Sequence, residues 1–175
     1  MQFKNPRELQ AAYPYQFAGP NIGLAVNRGW FGLFAQLCAD IDTVLGENKH
    51  GFHWVQVKQK FGSARWYYEL DNSDIETNEV EPITIEKMPD RGNGLLSLQI
   101  VGHSSDPVRE KLLQRIRTLV NDAEDRTNET CIACGEPGEL DTSSTYVLVV
   151  CPKHAKQRRG GAQLKTWFDD DEDFQ

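Results

Sequence analysis

Cys131-Ile-Ala-Cys134 and Cys151-Pro-Lys-His154 are the residues of this chain whose types and spacing could do defined chemistry. Each pair offers two soft or borderline donors two residues apart, and sixteen residues lie between the pairs. Two such hooks can place three thiolates and an imidazole tetrahedrally around one zinc ion, with the intervening segment as the ribbon that joins them. Gly135, directly after the second cysteine, permits the tight turn that aims backbone amides at thiolate sulfur. Thr145 to Val150 reads as a β-branched strand that delivers Cys151 and His154 to the same ion. Four protein ligands leave no open position for water, so the expected role of the single Zn²⁺ is structural.

Other chemistries find less support. A zinc deaminase needs His-x-Glu and Pro-Cys-x-x-Cys, but no histidine here precedes a glutamate by two, and Thr130 stands before Cys131. A metal-dependent nuclease would need a catalytic histidine and a second ion. Of His50, His53 and His103, only His103 is loosely placed for that, and a capping or surface role suits it better. There is no Gly-x-Ser-x-Gly, no phosphate-binding glycine loop and no paired-carboxylate signature, so the expectation is a protein without catalytic residues. Cys38 falls on a helical apolar stripe and is expected to be a small buried hydrophobe outside the zinc set.

The elements that must position the hooks can be read from periodicity. Trp30, Leu33, Phe34, Leu37, Cys38, Ile41, Val44 and Leu45 recur at steps of three and four, with Gly46 as a stop, which predicts a core-facing helix. Residues 51–70 predict two antiparallel strands joined around Lys60-Phe61-Gly62-Ser63. Strict alternation would place Phe52, Trp54 and Gln56 on one face and His53, Val55 and Val57 on the other. The interleaving of aromatics with Lys58, Lys60 and Arg65 matches a surface for single-stranded nucleic acid, although a sheet whose aromatics pack beneath the helix is the simpler reading. Ile83-Thr-Ile85 and Leu95 to Val101 predict two more strands around the Arg91-Gly-Asn-Gly94 turn, for a sheet of about four. Asp106-Pro107 then opens a second helix that carries Val108, Leu112, Leu113, Ile116, Leu119, Val120 and Ala123 inward and leads into the cysteines.

The fold class expected is therefore α+β: a small antiparallel sheet packed with two main helices, plus a C-terminal zinc ribbon. Residues 1–126 form the body with an irregular N-terminal arm, 127–165 the ribbon and 166–175 an acidic, frayed tail. The chain has 175 residues and a formal charge of -7, from 19 Lys and Arg against 26 Asp and Glu, which argues against a general phosphate-backbone binder. Residues 69–90 hold eight carboxylates against Lys87 alone and read as a solvated loop or a partner-facing acidic surface. Lys153, Lys156, Arg158, Arg159 and Lys165, by contrast, make a basic segment free of acidic residues. No apolar run reaches bilayer length and the start lacks a secretory h-region, so a cytoplasmic protein with reduced thiols and no membrane association is expected.

Gly29-Trp30-Phe31, Leu37-Cys38 with Ile41, Val55 to Gly62 with Arg65-Trp-Tyr-Tyr68, Asn121-Asp-Ala-Glu124, and the two hooks together resemble a family of small phage, prophage and bacterial proteins. Members carry a Lys-Phe-Gly-Gly-Leu-Arg-Phe-Tyr motif, matched here with substitutions by Lys60 to Tyr67, before a Cys-x-x-Cys-Gly and Cys-x-x-His ribbon. The resemblance spans residues 29–154 with a gap in the acidic middle. It implies a phage or prophage setting and the zinc ligands, and supplies no activity. The expectation that follows is an accessory protein in the host cytosol that binds a host protein or nucleoprotein complex, as an inhibitor of a host defence system. The alternative is a zinc-ribbon nucleic-acid-binding or regulatory protein that uses the basic segment 153–165.

Overall fold

A computed structural model describes residues 3–47, 49, 51–70, 83–87, 98–102, 106–169 and 172–174, with backbone alone for 83–87 and 98–102. His50, His103, the 91–94 turn and most of the acidic stretch, 71–82 and 88–90, lie outside the described residues. The chain is mixed α+β, with four α-helices among the described residues: α1 (Pro6–Ala12), α2 (Phe31–Leu45), α3 (Pro107–Arg126) and α4 (Pro152–Arg159). The N-terminal arm is more regular than expected. Asn5 caps α1 by accepting from the Glu8 amide at 3.0 Å, and Pro6 occupies the first turn, where its missing N–H costs nothing.

The sheet of the body has three strands, with β2 (Phe52–Lys60) at its centre, β3 (Ser63–Leu70) antiparallel on one side and the short β1 (Gly23–Leu24) parallel on the other. β4 (Ile83–Lys87) and β5 (Leu98–Gly102) pair only with each other, which corrects the expected sheet of four. The cause is visible at the free edge of β3. The amide of Ala64 donates to Thr127 Oγ1 at 3.1 Å and that of Trp66 to Glu124 Oε1 at 2.5 Å, so side chains from the end of α3 take the bonds a fourth strand would need.

Strict alternation along β2 also fails. The register steps from Trp54↔Tyr68 to Gln56↔Tyr67, leaving Val55 as the extra residue of a bulge whose carbonyl accepts from the Ile22 amide at 2.8 Å. Val57 thereby joins Phe52 and Trp54 on the buried face, opposite to the expected placement. Beneath this face α2 buries Phe34, Leu37, Cys38 and Ile41. The Phe34 ring sits 5.0 Å from Trp54 and 5.1 Å from Trp66, so each contact adds aromatic geometry to the ~1.5–3 kcal/mol of burying such a side chain. Gly46, at φ 62°, ends the helix as expected. α3 closes the other side through Ile116, Val120 and Ala123, but its first turn stands off the core, since Val108 is 78% exposed.

The C-terminus departs from the expected fraying. Phe168 meets Phe31 edge-on at 5.2 Å, and Phe174 stacks on Phe17 at 4.8 Å and approaches Phe34 at 6.2 Å. Arg28 adds a cation over the Phe168 ring and an ion pair to Glu172. The described residues on either side of positions 170 and 171 are thus each held by an aromatic anchor, a signal that the charge of this segment obscured in the sequence.

Candidate metal centre

A short 3₁₀ turn over Thr127–Glu129 leads from α3 into the first hook. The Cys131 amide donates to Glu136 O at 2.8 Å and the Gly135 amide to Cys131 O at 2.9 Å, so residues 131–136 form a tight loop. Gly135 sits at φ 81°, the left-handed region that favours glycine and that the sequence pattern anticipated. The second hook comes from the ribbon hairpin, β6 (Glu139–Asp141) and β7 (Leu148–Val150). β7 runs into Cys151, which stands at the N-cap of α4, and His154 follows in the first turn. A strand that stops and a helix that starts between the two ligands bring both side chains back to one point.

All four ligand atoms, Sγ of Cys131, Cys134 and Cys151 and a ring nitrogen of His154, lie within 4.8 Å of one another. His154 Nδ1 is 3.3 Å from the sulfurs of Cys131 and of Cys151, and Cys134 Sγ is 3.8 Å from Cys151 Sγ. A tetrahedron with metal–sulfur bonds of about 2.3 Å and a metal–nitrogen bond of about 2.0 Å has sulfur–sulfur edges of about 3.8 Å and sulfur–nitrogen edges of about 3.5 Å. The cage is therefore the size of a four-coordinate metal site. Cys131 is 0% and Cys151 6% exposed, while Cys134 forms the solvent rim. Burial and the neighbouring thiols hold the Cys134 thiol above its ordinary range. Burial acts the same way on Cys151, but amides of His154 and Lys153 and its thiol neighbours outweigh it and bring that pKa down. Neighbouring thiols compete for one ionised state, and a cation among them removes the competition.

The body grips this loop at a point that sequence reasoning missed. The Gly29 amide donates to Ile132 O at 2.9 Å, and Trp30 Nε1 donates to Thr130 O at 2.8 Å. A Cβ placed on Gly29 would stand 2.0 Å from Cys131 O and 2.7 Å from Gly135 N, so the first hook lies directly against bare backbone. In the sequence this contact is carried by Gly29-Trp30, of which Trp30 belongs to the helical stripe and Gly29 entered the reading through the resemblance alone. On the far side, Gly62, at φ 84° in the β2–β3 turn, packs its α-carbon under Leu140 and Val147 of the hairpin. Ser63 Oγ adds a 2.7 Å bond to Asn128 Oδ1.

No protein-family model matches the chain, and neither curated proteins nor solved structures show significant similarity to it.

The remaining candidate residues fall into separate groups. Lys153, Lys156 and Arg159 project from α4 into solvent, but Arg158 does not. Its guanidinium pairs with Asp141 Oδ2 at 3.2 Å, donates to Asp141 O at 3.2 Å, and also reaches Ser144 Oγ and Tyr146 O, so it fastens the hairpin tip to α4. Hydrogen bonding from Ser143, ahead of the charge of Arg158, holds the Asp141 carboxyl below the usual range. Lys165 pairs with Asp169 at 2.8 Å. On the sheet, Lys58 lies over the Tyr67 ring and Lys60 over the Phe61 ring, whereas Arg65 is buried and donates to Ala64 O at 2.6 Å. Cys38 is 0% exposed in the core, where burial raises its thiol pKa, and it takes no part in the ligand cluster. His53 is also buried, with Nε2 3.4 Å from Glu69 Oε2. No helix among the described residues is long and apolar enough to cross a membrane.

Proposed function

We propose that this chain is a non-catalytic binding protein whose ribbon is closed by one structural zinc ion. The observation that carries the reading is the donor set itself: three sulfurs and one nitrogen, all within 4.8 Å of one another, with three of the contacts at 3.3, 3.3 and 3.8 Å. Three thiolates favour zinc over harder cations, and four protein donors complete its preferred coordination. Bound zinc would hold thiolates and imidazole together without presenting an open Lewis-acid position. It would contribute on the order of 10 kcal/mol to folding of the ribbon, which then presents the β6–β7 hairpin rigidly beside the β2–β3 turn.

The resemblance to phage and prophage proteins suggests the setting: an accessory protein in the host cytosol whose partner is a host protein or nucleoprotein complex, such as a defence system. Native mass spectrometry tests the metal claim, with one zinc per chain as the expected result; a metal-free folded protein, or two ions per chain, overturns it. Affinity capture from host lysate, with metal-replete and chelated protein side by side, tests the binding claim. Retention of one defined complex by the zinc form alone is expected, and no specific retention would count against it.

A further inference from the structure

Seven large apolar side chains are well exposed among the described residues; Phe61 and Tyr67 belong to the β2–β3 hairpin, and Leu140 and Tyr146 to the ribbon hairpin that abuts its turn. Phe61 is 49%, Tyr67 41%, Leu140 43% and Tyr146 73% exposed. Gln56, Lys58 and Lys60 alternate along β2 and so share its outer face, and Tyr67 joins them as the cross-strand partner of Gln56. Lys58 Nζ lies 5.3 Å from the Tyr67 ring centroid and Lys60 Nζ 5.4 Å from that of Phe61. Past the turn, Gly62 abuts Leu140 and Val147, and Tyr146 is the next residue along the hairpin. The result is a line of rings and ammonium groups, Tyr67, Lys58, Lys60 and Phe61, that runs along the body's outer face to the turn against which the ribbon hairpin packs.

We propose that this line binds single-stranded nucleic acid. Unpaired bases offer planar apolar faces to Phe61 and Tyr67, while the phosphates that link them meet Lys58 and Lys60. Charge complementarity sets the choice of partner: on a chain of net charge -7 this face of β2 and β3 carries Lys58, Lys60 and the buried Arg65, and its carboxylate, Glu69, lies at the far end beside His53. A duplex hides the base faces that the two rings would stack on, so it should bind more weakly. Part of the basic segment is also spoken for, since Arg158 and Lys165 already hold carboxylates, which moves the nucleic-acid surface from 153–165 to the hairpin face. The inference rests on the reading of a metal-stapled binding protein, because Leu140 and Val147 back the β2–β3 turn that carries Phe61 only while the ribbon is seated.

The test is fluorescence anisotropy of a labelled oligothymidylate of about 20 nucleotides with zinc-replete full-length protein at low salt. Micromolar binding is expected, with a log–log salt slope near -1.4 for two contacted phosphates, at about -0.7 each. Phe61→Ala and Tyr67→Ala should each weaken it by about 5- to 150-fold, the range for one stacked base. Lys58→Gln with Lys60→Gln, conservative enough to keep the fold, should flatten the salt slope. Absence of binding at low salt, equal or tighter binding of duplex, or affinity unchanged by the aromatic and lysine variants overturns the proposal. Zinc counted on the same samples reports on the metal staple separately, so loss of one claim is not mistaken for loss of the other.

Discussion

Replacing Gly29 by alanine probes how the body holds the metal loop. The new Cβ would lie 2.0 Å from Cys131 O and 2.7 Å from both Gly135 N and Ile132 C, all backbone atoms of the first hook. None of these can swing aside as a side chain would, so the loop must retreat by roughly 1 Å or more to reach ordinary contact. That movement breaks the bonds from Gly29 N–H to Ile132 O and from Trp30 Nε1–H to Thr130 O, at 2.9 and 2.8 Å. Each buried donor left unmade costs about 1–3 kcal/mol, so the expected loss for two is about 2–6 kcal/mol, which is roughly 4–24 °C in Tm for a chain of this length. Gly32, three residues on, is the internal control: a Cβ there meets nothing within 4 Å, and the same substitution should be neutral or stabilise α2 by up to about 1 kcal/mol. Thermal denaturation of both variants in the presence of zinc measures the contrast, and competition with a chromophoric chelator measures the metal affinity. A Gly29→Ala protein that melts within about 2 °C of wild type, or a Gly32→Ala protein that loses as much as Gly29→Ala, would refute the close approach.

Cys134→Ser should abolish stoichiometric zinc and open residues 127–165 to protease, whereas Cys38→Ser should keep one zinc while losing about 1–3 kcal/mol for a hydroxyl placed in the core. Burial pushes the Tyr68 phenol up to about 12. Because the folded value is raised, its contribution is complete below the unfolded value near 10 and is lost as pH rises from about 10 to 12. Denaturation followed across that window should show a shallower decline for Tyr68→Phe, and parallel curves would contradict the assignment. Phe174→Ala should cost about 1–3 kcal/mol and speed proteolysis of the C-terminus, since its ring stacks on Phe17; an unchanged digest would mean the aromatic anchor does not hold the tail.

Much of the architecture was legible because it follows from periodicity and caps. The 3.6-residue stripe of α2, the Asp106-Pro107 start of α3 and the turn at Gly62 each carry a local signal that the fold obeys. The ligand spacing was legible for the same reason, since two hooks of fixed reach leave little freedom in where a fourth donor can sit. What stayed hidden depends on partners distant in sequence. The bulge at Val55 exists because Ile22 claims its carbonyl, and β3 remains an edge because Glu124 and Thr127 occupy its amides. Arg65 and Arg158 looked like free cations in the sequence, yet one is buried and donates to Ala64 O and the other is consumed by Asp141. Charge in a sequence reports what a residue could attract and says little about what has already been attracted.

The central claim is a metal ion whose coordination the protein completes alone. X-ray absorption at the zinc edge of the purified full-length protein addresses it most directly. Three sulfur neighbours at about 2.3 Å and one nitrogen at about 2.0–2.1 Å, without an oxygen, are the expected shell. An oxygen neighbour in place of any one of the four, or a protein that folds without the ion, would contradict the account.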